Sequence, residues 1–501
     1  MSLQEDSPVP HVCVVGAGMA GLSCARILLS HGFKIAIIEA RDRIGGRQCV
    51  RLPPRYVCRP SLSSLPSNPS LARGPNWIYT SIGENQPIMK LAKQTNTPIH
   101  VWNDDIRLFN SDGNPVEPAK ALRLQELIWT FFEDSFTYSV EHGSEIPTSA
   151  SLYQYVRKRI AECAVSDDDR ELLAGLSQMW GNYTGDAIQR QSLKYCWTEI
   201  VRDGDEYFVT SDFASILAKA AEGLQQIADI QLGTRATHFR SRVRLNQEMA
   251  GVEISTSDGE PQRFDEVVIT CPLGWLKINK HAFEPPLESR LLESIDAISV
   301  GHLEKVYITF PKAFWRLDVG QDGKSLDHII WLSPQYTPDT NPFHWPLEAY
   351  DLAAFGAKTS HPTLLVYTFG DLSAHISSIV HCHPDKETQY AHLDRFFQPY
   401  YCRLPHFDAK DADCRPKGYL ASAWRYDELA GYGSYCNMQV DIDRADEHIR
   451  RIQQGMPERG FWLAGEHAAP IEERGTVGGA WMSGKMTAEK ILTKYGRIQE
   501  T

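Results

Sequence analysis

The stretch that decides the fold is His11–Arg47, which reads HVCVVGAGMAGLSCARILLSHGFKIAIIEARDRIGGR. A short apolar run, Val12 to Val15, meets a tight turn of three glycines. A helical pattern then continues through Leu29, and a second apolar run, Lys34 to Ile38, ends on an acidic residue. This order is typical of a β-α-β unit that binds a dinucleotide.

Each glycine of the turn has a separate physical purpose. Gly16 allows the tight turn, Gly18 lets the backbone approach a pyrophosphate, and Gly21 lets the helix and strand pack closely. The pyrophosphate is expected at the positive end of the helix that follows Gly18. Ala17 and Ala20 complete the expected contacts.

The acidic residue after the second strand is Glu39, eighteen residues beyond Gly21. A carboxylate there can accept hydrogen bonds from both hydroxyls of an adenosine ribose. An acid in place of an arginine disfavours the 2′-phosphate of NADP, and it leaves NAD and FAD open.

The segment that follows favours FAD. A glycine doublet allows a ligand close to the backbone, and the flanking arginines can meet phosphate oxygens. The doublet also resembles the one that follows the ribose-binding acid in two-domain flavoproteins. The expected cofactor contacts in this segment are Ala40, Arg41, Gly46 and Arg47.

Composition limits the class of protein. A chain of 501 residues, 42% apolar and 23% charged, is expected to form a globular enzyme of two or three domains. The net charge of −12 disfavours nucleic acid and anionic membranes as partners. It suits a cationic small molecule, although mild acidity also serves solubility alone.

Eleven cysteines are scattered without CxxC pairs, and several fall in apolar segments. They indicate free thiols in a reducing compartment. The sequence contains no signal-peptide pattern, no apolar run of membrane-spanning length and no lipidation motif. We therefore expect a cytoplasmic protein that does not contact a membrane.

The predicted secondary structure changes along the chain. Helical patterns dominate 118–223, including one expected helix over Ser211–Ile227, and short strands follow. A run of antiparallel strands is predicted from Gly301, with 334–358 as elaborated surface. Residues 52–73 contain five prolines and are predicted to form an irregular loop.

A second constellation lies near the C-terminus. The strand Phe461–Ala464 ends on Gly465-Glu466, and Thr476-Val477 opens the last helix. A helix N-terminus offers unpaired N–H groups and partial positive charge, which would stabilise the anionic reduced ring of a flavin. Alternatively, this strand, loop and helix merely close a domain.

Three separated motifs, GAGMAGL…EARDRIGGR, ITCPLGWLK and FWLAGEH…GTVGGAWMSG, resemble those of the flavin-containing amine oxidases. The polyamine and spermine oxidase branch is the most similar. The resemblance covers nearly the whole chain.

The resemblance implies an α/β fold. An FAD-binding, Rossmann-like domain of the glutathione-reductase type is expected from 1–90, 222–300 and 455–501. A discontinuous α+β substrate domain built on a mixed sheet is expected from 91–221 and 301–454. The implied partners are a small amine and O2, with no metal and no nucleic acid, in a monomer or homodimer.

The resemblance also implies a catalytic lysine, which in the family holds a water against flavin N5. The matching segment is Gly301–Phe310. Strand alternation places Lys305 on the face opposite Val306 and Ile308, together with polar neighbours. A single lysine is otherwise most often a solvated surface residue.

Further residues follow from the same resemblance. Tyr435 and Trp481 match two aromatic residues that steer the amine, although such rings can also be ordinary core. The additional cofactor contacts implied are Gly74, Pro75, Asn76, Trp77, Ala236 and Trp424.

The chain departs from the polyamine branch at several points. Tyr79 stands where the branch has a histidine associated with substrate recognition. Asp212 replaces a glycine, where it either faces a cationic substrate or caps a helix. Because no cysteine lies between Gly465 and Val477, we expect FAD to be bound non-covalently.

These departures concern the substrate. One alternative is a flavin amine oxidase for another amine, such as an amino acid or a biosynthetic intermediate. A non-catalytic flavoprotein or a chromatin-associated module is disfavoured, because no additional DNA-binding or coiled-coil pattern is visible.

Overall fold

The computed structural model describes residues 9–48, 57–58, 71–72, 74–80, 86–102, 106–199, 206–243, 249–257, 259–316, 327–356 and 359–499. Two large sheets organise these residues, and smaller sheets and helices surround them.

The first large sheet has five parallel strands and contains the expected β-α-β unit. Its strands in spatial order are Phe461–Leu463, Glu266–Ile269, His11–Val15, Lys34–Ile38 and Asp229–Gln231. The central strands are apolar and buried on both faces, as a parallel sheet covered on both sides requires. The helix Met19–Ser30 packs against the last helix, Val477–Lys494.

The second large sheet is mixed, as the resemblance implies. Its strands in spatial order are Val57–Cys58, Gly418–Ala421, Glu304–Thr309, Thr363–Thr368, Leu347–Asp351, His328–Trp331 and Ile106–Phe109. All neighbours are antiparallel except the last pair. One face packs through Val306 and Ile308 on a core that includes side chains of helices Gly370–Cys382 and Lys386–Tyr401.

Three smaller sheets complete the strands. The antiparallel three-stranded sheet consists of Trp77–Tyr79, Glu206–Val209 and Ile99–His100. The remaining strands are Gln262–Phe264, Met249–Thr256, Ala236–Val243 and Phe283–Glu284 in one sheet and the pair Ser299–Val300 and Cys436–Asn437.

The remaining α-helices are Pro87–Gln94, Pro118–His142, Leu152–Glu162, Asp167–Ser177, Gly181–Thr184, Ala214–Ala220, Leu224–Ile227, Leu273–Ile278, Ser289–Ala297 and Ala445–Gln454. None of the described helices is long and apolar enough to cross a membrane. Within the same residues, no group of three or more His, Cys, Asp or Glu side chains could hold a metal ion. Nine cysteines of the described residues, all except Cys58, are recognised as free thiols.

Three predictions about elements are wrong in detail. The segment 334–358 contains a sheet strand, Leu347–Asp351, between two others and not surface alone. The helix expected over 211–227 is two short helices, because Gly223 adopts a left-handed conformation (φ +81°) between them. Part of the expected loop, Val57–Cys58, pairs with Gly418–Tyr419, and most of 52–73 lies outside the described residues.

The division into two domains stays a prediction. Strands of the parallel sheet all come from the three segments expected to bind FAD. Two strands from the first of those segments, Val57–Cys58 and Trp77–Tyr79, pair instead with strands from the segments expected to bind substrate.

Candidate active site

A cavity of about 430 Å³ is lined by residues of the dinucleotide unit and of the mixed sheet. Most of the residues singled out in the sequence line it. They are Gly16, Gly18, Ala20, Glu39, Ala40, Arg41, Gly46, Arg47, Gly74, Pro75, Asn76, Trp77, Tyr79, Ala236, Lys305, Trp424, Tyr435, Gly465, Glu466, Thr476 and Val477.

Backbone groups hold Glu39 in a fixed position. Its Oε2 accepts a hydrogen bond from the N–H of Ala17, and its Oε1 accepts one from the N–H of Arg41, each at 2.8 Å. The side chain is only 7% exposed. Since Ala17 does not itself line the cavity, its contribution here is to orient the carboxylate.

The glycines of the turn differ in their surroundings. Gly16 has φ +107°, which favours glycine. A Cβ on Gly21 would lie 2.0 Å from the carbonyl oxygen of Gly16, so this residue permits close packing of helix and strand and does not line the cavity. A Cβ on Gly18 would meet no atom within 4 Å, so the backbone there borders open space.

Two arginines of the cavity wall are fixed by acids. Arg41 bonds both carboxylate oxygens of Asp427 at 2.9 Å. Arg47 donates to the carbonyl oxygen of Ser434 and, at 3.1 Å, to Glu466. Although burial opposes the effect, the charge of Arg47 lowers the pKa of the Glu466 carboxyl. The second Glu466 oxygen accepts from the N–H of Cys436.

The last helix begins at the cavity. Thr476 caps it, because its Oγ1 accepts from the N–H of Gly479 at 2.8 Å. Trp481 is not among the residues that line the cavity, and it packs against the core around the helix Met19–Ser30.

Lys305 is the buried amine of the site. It is 6% exposed, and its Nζ donates to the carbonyl oxygen of Gly74 and to Oδ1 of Asn76. Burial lowers its pKa to about 7. Within the part of the chain that the structure describes, no carboxylate forms an ion pair with it.

Hydrogen bonds and aromatic contacts extend outward from this lysine. The Tyr367 ring centroid lies 5.4 Å from the lysine Nζ, and its hydroxyl donates to Asn76 and accepts from Trp77. Tyr350 packs edge-on against both Tyr367 and Trp77. Additional aromatic residues of the cavity are Tyr79, Trp180, Tyr183 and Tyr435.

Sequence reasoning missed several of these residues. Tyr350 lies in the segment expected to be surface, and Tyr367 stands opposite Lys305 only because of the strand register. Glu206 and Glu348 also line the cavity and were not singled out. Asp212 is not among the lining residues. Its Oδ1 accepts from the N–H of Ala214, which confirms the capping interpretation.

Comparisons with known proteins identify the class. Residues 19–492 match the family described as flavin containing amine oxidoreductase, and the chain belongs to this family. It is 24% identical over 502 residues to polyamine oxidase 4 of Oryza sativa subsp. japonica, covering 97% of this chain and 90% of the relative.

Other similar proteins differ in name. The chain is 25% identical over 493 residues to lysine-specific histone demethylase 1 homolog 1 of Oryza sativa subsp. japonica, covering 97% of this chain but 52% of that relative. The solved structure of cyclohexylamine oxidase from Brevibacterium oxydans matches the fold with a TM-score of 0.68. That match has 16% identity and covers 98% of this chain and all of the other.

The residues fit the flavin that the family name implies. The open space beside Gly18 and the fixed carboxylate of Glu39 belong to the same cavity as Lys305 and the capped last helix. Backbone N–H groups and acids that orient arginines are suited to a ligand with phosphates and ribose.

The buried amine predicts a pH-dependent stability. In the folded protein Lys305 releases its proton near pH 7, whereas its ordinary value is 10.5. Between these values the unfolded chain binds the additional proton, so the stability of the wild type rises with pH. Lys305→Met removes this contribution. The melting temperature of Lys305→Met minus that of the wild type should therefore decrease as the pH is raised from about 6.5 to about 9.5.

Differential scanning fluorimetry at both pH values measures this difference. The exposed Lys312→Met is the matched control and should show no such trend. A Lys305→Met difference that does not change with pH would contradict the account.

Proposed function

We propose that this protein is an FAD-dependent amine oxidase of the polyamine type. The proposed reaction oxidises a carbon next to an amine nitrogen of spermine, spermidine or an N-acetylated form. The amine, O2 and water give an aldehyde, a shorter amine and H2O2. The observation that carries the proposal is a buried lysine amine in the same cavity as the dinucleotide unit.

The cofactor contacts are assigned from the cavity walls. Glu39 would hold the ribose, the backbone from Gly16 to Gly18 the pyrophosphate, and Arg47 and Glu466 the middle of the cofactor. The start of the last helix at Thr476 would face the flavin ring. Bound flavin supplies the acceptor for a hydride.

Lys305 would hold and orient a water beside the reacting carbon. Because the pKa of Lys305 is about 7, this side chain is a neutral amine in a large fraction of the molecules at neutral pH. A neutral amine can accept as well as donate a hydrogen bond. Gly74 and Asn76 fix the position of Nζ.

The reacting nitrogen must be an unprotonated amine before the neighbouring carbon can give up a hydride. Aromatic walls that displace water disfavour its charged form. Tyr435 and Tyr367 would supply such walls, and a ring face contributes about 0.5–1 kcal/mol or more toward a cationic amine as it enters.

A second candidate is oxidation of another amine. Tyr79, in place of the branch histidine, favours it, since a phenol does not titrate near neutral pH. Burial raises its pKa further. The similarity to polyamine oxidase 4 supports the first candidate. The similarity to a histone demethylase homologue supports a substrate class that is wider than polyamines.

Peroxide release separates the two candidates. The FAD-loaded protein is given spermine, spermidine, N-acetylspermine, benzylamine and several amino acids in a peroxidase-coupled assay. We expect H2O2 from at least one of the three polyamines. Turnover of the other amines alone would favour the second candidate, and no turnover of any amine would contradict both.

FAD is proposed to be non-covalent. The described cysteines that line the cavity are Cys271 and Cys436, and burial raises the pKa of each thiol, which disfavours the nucleophilic thiolate. After acid precipitation the yellow colour should stay in the supernatant. Colour in the pellet that persists after washing, and that Cys436→Ser abolishes, would show covalent attachment.

A further inference from the structure

One wall of the cavity has a carboxylate that the proposed reaction does not use. Glu206 begins the strand Glu206–Val209 and stands directly opposite Tyr79 in the antiparallel pair. Directly opposed side chains lie on the same face with Cβ atoms about 5 Å apart. Both residues line the cavity, so the Glu206 carboxylate and the Tyr79 ring face it together.

The Glu206 carboxylate is a candidate binding group for a positive charge. Among the described residues, no side chain or N–H group forms a hydrogen bond or an ion pair with its carboxylate. Burial raises its pKa, because loss of contact with water disfavours the charged carboxylate. A mostly buried acid of this kind is costly unless a cation joins it.

A second acid of the same cavity is Glu348. It is 3% exposed, and its oxygens contact His328 and Asn182. Its contact with His328 is an ion pair when that ring is protonated, and across the residues that the structure describes it forms none with lysine or arginine. The His328 ring stacks on the Tyr350 ring, which orients His328 toward Glu348.

Strand register fixes the distance of Glu348 from the reacting end. Lys305 stands opposite Tyr367, and Tyr367 stands opposite Glu348, so the three side chains form one row across the sheet. Two interstrand spacings separate the ends of the row, which is about 10 Å. This acid is therefore well removed from Lys305.

Glu206 and Glu348 line the same cavity as Tyr183 and Tyr350. Burial, then the charges of Glu206 and Glu348, raise the pKa of the Tyr183 phenol. Burial is also the largest cause of the raised pKa of Tyr350, to which Glu348 and Glu206 contribute. Both carboxylates line the cavity together with these two rings, so a cation bound there would meet acids and ring faces.

We propose that Glu206 is a specificity residue that binds a second, protonated nitrogen of the substrate, with Glu348 as a second acid of the same cavity. This inference rests on the proposed oxidation of an amine at Lys305. The reacting nitrogen is neutral, whereas a nitrogen several bonds away keeps its proton and its charge. The preferred substrates are therefore diamines and longer polyamines, and monoamines lack the group that Glu206 binds.

Glu206→Gln tests the inference with a chain-matched pair of probes, butane-1,4-diamine and n-butylamine. The substitution removes the charge and keeps the shape. For the FAD-loaded enzyme we expect KM for the diamine to rise about tenfold or more, which corresponds to about 1.4 kcal/mol. KM for n-butylamine should be unchanged. Glu126→Gln, on the exposed face of helix Pro118–His142, is the matched control and should alter neither value.

A binding measurement keeps the test independent of turnover. Under anaerobic conditions, the diamine should raise the melting temperature of the wild type more than n-butylamine does, and Glu206→Gln should abolish the difference. Without ligand, the variant should melt at or above the wild-type temperature, because a mostly buried charge is gone.

The outcomes separate the two proposals. Equal stabilisation of the wild type by both probes, or an equal effect of Glu206→Gln on both, would overturn the role of Glu206 even if amines are oxidised. Selective binding of the diamine that depends on Glu206, without H2O2 from any amine, would support the binding role and contradict the oxidase.

Discussion

The site depends on a lysine amine that is buried and has no acidic counter-ion among the residues that the structure describes. Lys305 is held by the carbonyl of Gly74 and the side chain of Asn76, which connect the mixed sheet to the segment after the dinucleotide unit. An ammonium in this position would lose its hydration without an acid in return. The lowered pKa of Lys305 follows from this constraint, and so does its suitability to orient a water.

The neighbours of Lys305 reinforce its position. Its backbone N–H donates to Ser422 Oγ, and that hydroxyl donates to the fully buried Glu304. The other Glu304 oxygen accepts from the N–H of Arg425, next to the cavity residue Trp424. Burial raises the pKa of the Glu304 carboxyl to about 7. One acid thus joins the lysine strand to the turn that carries Trp424.

The sequence was most informative where function is encoded locally. The β-α-β unit is confirmed because its glycines, apolar runs and Glu39 are contiguous in the chain, and the face of Lys305 follows from simple alternation. The mixed sheet came from family resemblance. The strand Leu347–Asp351 was missed because turn residues surround it in the sequence. Its neighbours in the sheet, which explain its burial, lie elsewhere in the chain.

Residues brought together by register could not be read from local patterns. Tyr367 and Glu348 join Lys305 only through pairing across strands. Trp481 matches a motif position of the family but is not among the residues that line the cavity, so its contact with the substrate stays a prediction. Tyr79 was recognised as a departure from the related branch, but its cross-strand partner Glu206 was not. Tyr79 and Glu206 both line the cavity wall where we propose that substrates are distinguished. The departure from the related branch at Tyr79 therefore lies in that wall.

The most direct test of the account is the rate at which spermine reduces bound flavin without oxygen, followed by stopped-flow absorbance. Lys305→Met with full FAD content should be slower by about 100-fold or more, since the substitution removes a neutral amine that can take up, through the water it holds, a proton from the entering amine. Lys312→Met, an exposed lysine beyond the same strand, should react at the wild-type rate. Reduction of Lys305→Met as fast as the wild type would contradict the central role of the buried lysine.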